Sequence, residues 1–223
     1  MSVAEPTRWR VVEDPLSAAA AALAQRLRAA GPRPRLAVAG GSAAAALAPL
    51  RARLGPDLWR RLRVTWVDER RVPADSPDSN RGAAHRAGWL GPAAPVGAEV
   101  PLWLDGETCE EALSRVTRAI AGELDGGLDA LLLGMGEDGH VASLFPGHPA
   151  LEATGAAACV DDAPKPPPRR ITLCLPLLAT APVAVLVVPG ASKRDALRRL
   201  RAGDPSLPAA RVGGRIVFTD QDV

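Results

Sequence analysis

No tyrosine occurs among the 223 residues, lysine occurs only at positions 165 and 193, and nearly all other positive charge is arginine. With its abundant alanine, this reads as compositional bias, not as a functional signal. The longest apolar runs fall well short of the roughly 18 residues a bilayer span needs. The opening stretch "MSVAEPTRWRVVEDP" has no apolar core of signal-peptide type. Charge of one sign is not in excess, since 27 basic residues face 25 acidic ones for a net charge of +2. That excludes the basic block or stripe of a nucleic-acid or membrane-surface protein. Three cysteines, Cys109, Cys159 and Cys174, show no C-x-x-C spacing. An odd count without a framework points to a reducing cytoplasm and no structural zinc. Neither G-x-S-x-G nor H-E-x-x-H occurs, so a serine elbow and a zinc-peptidase pair are also absent. The expectation is a cytoplasmic protein with no nucleic-acid or membrane partner; oligomeric state is open, with a monomer as the working assumption.

What is present is strand–helix alternation over one domain, 1–223, with 47% hydrophobic residues to fill a core. Asp14-Pro15 opens a helix that Gly31-Pro32 ends, by side-chain capping and by proline's fixed φ. "RLAVAGG" reads as a buried strand entering a glycine turn, followed by an Ala/Leu helix from about Ser42 to Leu54. "LRVTWVDERRV" gives a second strand ending near Val67 with four charges crowded after it. Ser79 or Asp78 can cap a helix through Trp89, and Glu107 to Leu124 has helical apolar spacing. "GGLDALLLG", "RRITLCLP", "PVAVLVVPG" and "GRIVFTD" are further strands, and "SKRDALRRLRAG" is a basic helix. Strands apolar on both faces, alternating with amphipathic helices, predict an α/β fold of three layers, α/β/α, around a mostly parallel, Rossmann-like open sheet. "DDAPKPPPRR" reads as a proline-rich surface connection. The candidate sites follow the C-terminal ends of strands, where open α/β sheets bind ligands.

"GMGEDGHVASLFPG", Gly134 to Gly147, contains a G-x-G-x-x-G after a strand, with Asp161 about where a ribose-binding acid would stand. Two physical objections weigh against a dinucleotide. Glu137 and Asp138 would meet a pyrophosphate with like charge. Pro146, Gly147 and Pro149 also cut short the helix whose N-terminus should face the phosphates. The glycines allow a sharp turn instead, and Asp138 lies two residues before His140, where a carboxylate can set an imidazole's tautomer. The bland alternative is a glycine-rich turn with a solvated acidic pair.

"LGMGEDGHVASLFPG" resembles the signature of the 6-phosphogluconolactonases, within the larger group of sugar-phosphate isomerase and deaminase-like folds. Three more segments match in order: "VAGGSAAAAL", "TWVDERRVPADSPDSN" and "RRITLCLPLL…VVPGASKRDAL". The resemblance spans nearly the whole chain. It implies hydrolysis of 6-phospho-D-glucono-1,5-lactone, the second step of the oxidative pentose phosphate pathway, with no metal and no cofactor. His140 would be the general base, oriented by Asp138. Arg70 would be offered to substrate oxygens and is, with a backbone amide, one of two candidates for the developing oxyanion. Asp68 and Asn80 would line the cleft, while Gly40, Gly41 and Ser42 would form an anion site at a helix N-terminus. Arg170 and Lys193 would bind phosphate. Each has a structural alternative: Ser42 and Ser79 as helix caps, Asp68 to Arg71 as a solvated charge run. The family usually has Thr-Pro after this serine, whereas Ala43-Ala44 stands here, removing one hydroxyl. His85 and His148 have no motif partner, and Arg169 reads as surface. Two rivals remain. A glucosamine-6-phosphate deaminase or isomerase would carry Asn-Glu-Pro after the D-G-H, where this chain has Ser143-Leu144-Phe145-Pro146. The other is a sugar-phosphate sensor without turnover.

Overall fold

The apolar runs that alternate with helices in the sequence stack side by side in the computed structural model, which describes residues 7–223. Segment 1–6, the start of the stretch read for a signal peptide, lies outside the described residues. The strands are β1 (Arg8–Val11), β2 (Arg35–Val38), β3 (Arg63–Trp66), β4 (Asp68–Arg70), β5 (Ala98–Val100), β6 (Ala130–Leu133), β7 (Ala157–Val160), β8 (Arg170–Leu173), β9 (Ala184–Val187) and β10 (Arg215–Thr219). The α-helices are α1 (Pro15–Ala29), α2 (Leu47–Trp59), α3 (Asn80–Arg86), α4 (Cys109–Glu123), α5 (Leu175–Leu178) and α6 (Arg194–Arg201).

Seven strands form one sheet in the order β1-β10-β9-β6-β2-β3-β5, and every neighbouring pair is parallel. The central strands β3, β6 and β9 are buried throughout, as a sheet covered on both faces requires. From β2 the chain winds outward to β3 and β5, and from β6 it winds the other way to β9 and β10. The order therefore reverses between β2 and β6, which makes a crevice beyond their C-terminal ends. At the opposite end of these strands Asp129 interrupts an apolar run. It is tolerated because Arg35 holds it in a bidentate pair, with both contacts at 2.9 Å. Burial pushes the Asp129 carboxyl up, but the Arg35 bonds outweigh it and hold it below the usual range.

Local capping signals act where the sequence puts them. Asp14 Oδ1 accepts from Ser17 N at 3.0 Å, and Ser79 Oγ accepts from Gly82 N at 2.9 Å. Thr108 and Glu111 form a capping box at the start of α4. The Ala/Leu helix differs from its reading. It begins as a 3-10 turn, Gly41–Ala46, with Gly40 and not Ser42 at the cap position, and α2 breaks at Gly55 (φ 75°).

A second, three-stranded sheet, β4-β8-β7, is antiparallel. "RRITLCLP" is thus a strand as expected, but it does not belong to the parallel sheet. The charges after β3 are not a solvated run either. Asp68 and Glu69 are buried, and Glu69 accepts from the amides of Arg70 (2.7 Å), Asn80 (2.7 Å) and Arg81 (2.8 Å). Burial raises the Glu69 pKa while these amides pull it down. Arg71, also read as solvated, pairs with Asp161 at 2.8 Å and lies 5.4 Å from the Trp103 ring. A further correction concerns the cysteines. Cys109 and Cys159 form a disulfide, with Cα atoms 6.4 Å apart, because α4 packs against β7. Fifty residues separate the pair, so spacing does not betray it. With two thiols joined, the cysteine count ceases to argue for a reducing compartment. Cys174 is free and buried, and burial raises its pKa to about 11.

Among the described residues, no helix is long and apolar enough to cross a membrane.

Candidate active site

The crevice between the ends of β2 and β6 opens into a cleft of about 320 Å³. Three loops and the short strand β4 supply most of its polar lining. Gly40, Gly41 and Ser42 follow β2, Asp68 and Arg70 form β4, His140 follows β6, and Lys193 follows β9. Asn80, at the start of α3, and Arg170 complete the set. Every site residue expected from the sequence therefore lines one cleft, except Asp138, which stands behind the histidine. Arg170 is the exception to the strand-end pattern, because it opens β8 instead of following it. Antiparallel pairing resolves this, since Arg70 at the end of β4 is registered against Arg170 at the start of β8.

The glycine loop is shaped around the imidazole. Asp138 Oδ1 lies 2.5 Å from His140 Nδ1 and accepts from the His140 amide at 3.2 Å. Burial would raise the Asp138 pKa, but its bond and charge interaction with His140 hold it below the usual carboxylate range. An ionised acceptor fixes the hydrogen on Nδ1 and leaves the lone pair on Nε2. His140 itself is lowered from the ordinary histidine value, chiefly by burial, with Asp138 opposing. A neutral ring at neutral pH follows. Gly136 opens the expected turn, its carbonyl accepting from Gly139 N at 3.0 Å, and has a further use: a Cβ there would overlap Nδ1 and Cε1 of His140 and lie 2.5 Å from Asp138 Oδ1. No α-helix follows this loop, only a 3-10 turn at Pro149–Glu152. A single bridge, Val141 with Leu144, closes it, so the free helical amides that a pyrophosphate needs are not there.

Phe145 is buried with its ring 4.6 Å from the imidazole, in a tilted contact. Sequence reading gave it no role, and no local signal marks it. Ser143 has no local signal either, and its Oγ donates to Asp68 Oδ2 at 2.6 Å. Asp68 also lies 3.8 Å from Arg170 Nη1. Asn80 donates Nδ2 to the Asp68 carbonyl at 3.0 Å, and its amide oxygen would overlap a Cβ at Gly40. Asn80 thus ties β4 to the β2 turn as well as lining the cleft, while Ser79 is the cap.

Cations dominate the walls. Arg70 Nη1 donates to the Asp78 carbonyl at 2.7 Å, while its Nε is buried with no partner. Lys193 Nζ lies 3.6 Å from Glu137 Oε1. Lys165, assigned by sequence to a surface connection, lines the cleft too. The signal that could have found it is the scarcity of lysine. Ala43 lines the wall beside Ser42 and offers no hydroxyl. His85 pairs with Glu99 at 3.0 Å and His148 with Asp162 at 2.9 Å, both outside the cleft lining. Among the described residues, no group of three or more His, Cys, Asp or Glu side chains could hold a metal ion.

Comparison with known proteins gives a consistent result. Residues 10–218 match the family described as glucosamine-6-phosphate isomerases/6-phosphogluconolactonase. The chain is 38% identical over 188 residues to the 6-phosphogluconolactonase of Mycobacterium tuberculosis, covering 79% of this chain and 76% of that protein. It is 36% identical over 191 residues to the rat 6-phosphogluconolactonase, covering 81% and 74% respectively. The fold matches the crystal structure of the Thermotoga maritima 6-phosphogluconolactonase with a TM-score of 0.80 over 96% of this chain and 99% of that one, at 24% identity.

Proposed function

Because the chain belongs to the glucosamine-6-phosphate isomerase/6-phosphogluconolactonase family, we propose that it hydrolyses 6-phospho-D-glucono-1,5-lactone to 6-phospho-D-gluconate, with His140 as general base. This is the second step of the oxidative pentose phosphate pathway. The observation that carries the reading is the imidazole in the cleft, bonded through Nδ1 to Asp138 at 2.5 Å and ringed by cations. Nε2 accepts a proton from a water molecule as the water oxygen adds to C1. The resulting imidazolium, steadied by Asp138, returns that proton to the ring oxygen as the C1–O bond breaks. A lactone is an activated ester, so a positioned base suffices and no covalent intermediate is required.

The phosphate lies remote from C1 and supplies orientation through binding. Lys193 and the exposed turn at Gly41 and Ser42 form its seat, with the first amides of the 3-10 turn as donors. Arg170, which the resemblance offers to the phosphate, is left out of that seat, because it packs on Phe145 behind the base and much of its guanidinium is engaged within the protein. Its Nε donates to the Pro167 carbonyl at 3.0 Å and its Nη2 to the Lys165 carbonyl at 2.7 Å. Arg70 lines the cleft and offers the planar fork of its guanidinium to a substrate oxygen. The rival deaminase chemistry expects a carboxylate in the segment after the D-G-H. Here Phe145 fills that segment and packs on the imidazole.

The test is acid release in a pH-stat from freshly made 6-phosphogluconolactone, above the spontaneous rate, with and without a chelator. No enzymatic release would sink the reading, and loss of activity with chelator would sink its metal independence. Lys193→Ala is expected to raise KM about tenfold or more while kcat changes little, as loss of a charge-assisted contact away from C1 should. If the variant still discriminated against unphosphorylated gluconolactone as the parent does, Lys193 would not be the phosphate contact.

A further inference from the structure

The proline-rich connection between β7 and β8 carries one of the chain's two lysines into the cleft. Its course is set by Arg170, whose buried guanidinium donates to the carbonyls of Lys165 and Pro167 from beneath. Packing ties this connection to the base. The Arg170 guanidinium lies 5.6 Å from the Phe145 ring, and that ring lies 4.6 Å from the imidazole of His140. Lys165 is therefore carried on the wall that supports the base. Lys193 follows β9 and is held by Glu137.

The other cleft cations each have at least one partner within the protein: the Asp78 carbonyl for Arg70, Glu137 for Lys193, and Asp68 with two loop carbonyls for Arg170. Lys165 Nζ has no hydrogen-bond or ion-pair partner among the described residues. A compact ammonium on a flexible stem suits a point of concentrated charge, whereas arginine's fork suits planar pairs. In a chain that otherwise uses arginine, both lysines stand at the one cleft.

We propose that Lys165 is a catalytic cation at the reacting end of the cleft, meeting the negative charge that develops on the C1 oxygen of the lactone. The proposal rests on the lactonase reading. As the water oxygen bonds to C1 and His140 takes the water's proton, the carbonyl π pair moves onto oxygen beside the ammonium. Collapse returns that pair to the carbonyl and breaks the bond from C1 to the ring oxygen, which takes the proton from the imidazolium. Lys165 stays protonated throughout and acts by charge alone. Its field is consistent with this place: burial lowers the His140 pKa most, Asp138 and then Asp68 oppose, and Lys165 adds to the lowering.

Lys165→Gln and Lys165→Arg, made in the full chain, test the assignment. The glutamine variant should lose about a hundredfold in kcat with KM within about threefold of the parent. The arginine variant should recover part of the loss. An NMR titration of His140 without substrate should show a higher imidazole pKa in the glutamine variant than in the parent. A raised KM with intact kcat would move Lys165 to the phosphate end and overturn the proposal, as would unchanged kinetics. Should the parent chain open no lactone, the lactonase reading falls instead. The titration then decides alone: a His140 pKa indifferent to the substitution removes Lys165 from the reacting end.

Discussion

Turnover of 6-phosphogluconolactone by His140→Ala is expected to fall about 10²–10⁴-fold in kcat with little change in KM. In the proposed mechanism the imidazole meets the attacking water and not the phosphate, so its loss would remove an interaction realised only in the transition state. The lactone opens by itself, and the residual rate must be read after subtracting that background. The parent enzyme's pH profile gives a second reading of the same group. Only the neutral ring can accept a proton, so kcat/KM is lost as pH falls through the His140 pKa. Burial holds that pKa below the ordinary histidine value. The acid limb is therefore expected below about 6.5, the unperturbed value. Near-normal turnover in the alanine variant, or an unchanged acid limb in whatever activity survives it, would remove His140 as base.

Gly136→Ala should approach the same loss through one added methyl group, with a fall in kcat of at least about 10²-fold. The backbone at Gly136 lies outside the left-handed region, so alanine is not penalised by its φ. The cost falls on the imidazole. The new Cβ would overlap Nδ1 and Cε1 of His140 and crowd Asp138 Oδ1 at 2.5 Å, far inside van der Waals contact. The ring must swing, which breaks the bond that fixes its tautomer and its aim. Misplacement of a catalytic group by about 1 Å can by itself cost 10²-fold. Kinetics and a His140 imidazole titration, taken beside a thermal melt, separate this from unfolding. A well-folded Gly136→Ala enzyme with parental kcat would show that the loop does not aim the base.

These expectations trace to different levels of the molecule. The order of strands and helices was legible because its signals act between neighbouring residues. Examples are the cap by Asp14 on Ser17, the capping box of Thr108 with Glu111, and the apolar runs that become β6 and β9. The site was legible to the extent that it sits in loops just past strand ends, where Asp138 and His140 are two residues apart and carry their own pairing. Arg170 was found by resemblance, but its place was not predictable from a parallel sheet. It reaches the cleft because β8 runs antiparallel to β4, a pairing across about a hundred residues that periodicity cannot express. The same holds for the Cys109–Cys159 link, for Ser143 on Asp68, and for Phe145 against the base. Gly136 was visible as a glycine, yet its reason is the ring packed over it. Chain chemistry alone determined which groups can cap, turn or ionise. Only tertiary structure decided which of them meet, because contact between distant residues is set by sheet order and register, which nearest-neighbour preferences leave undetermined.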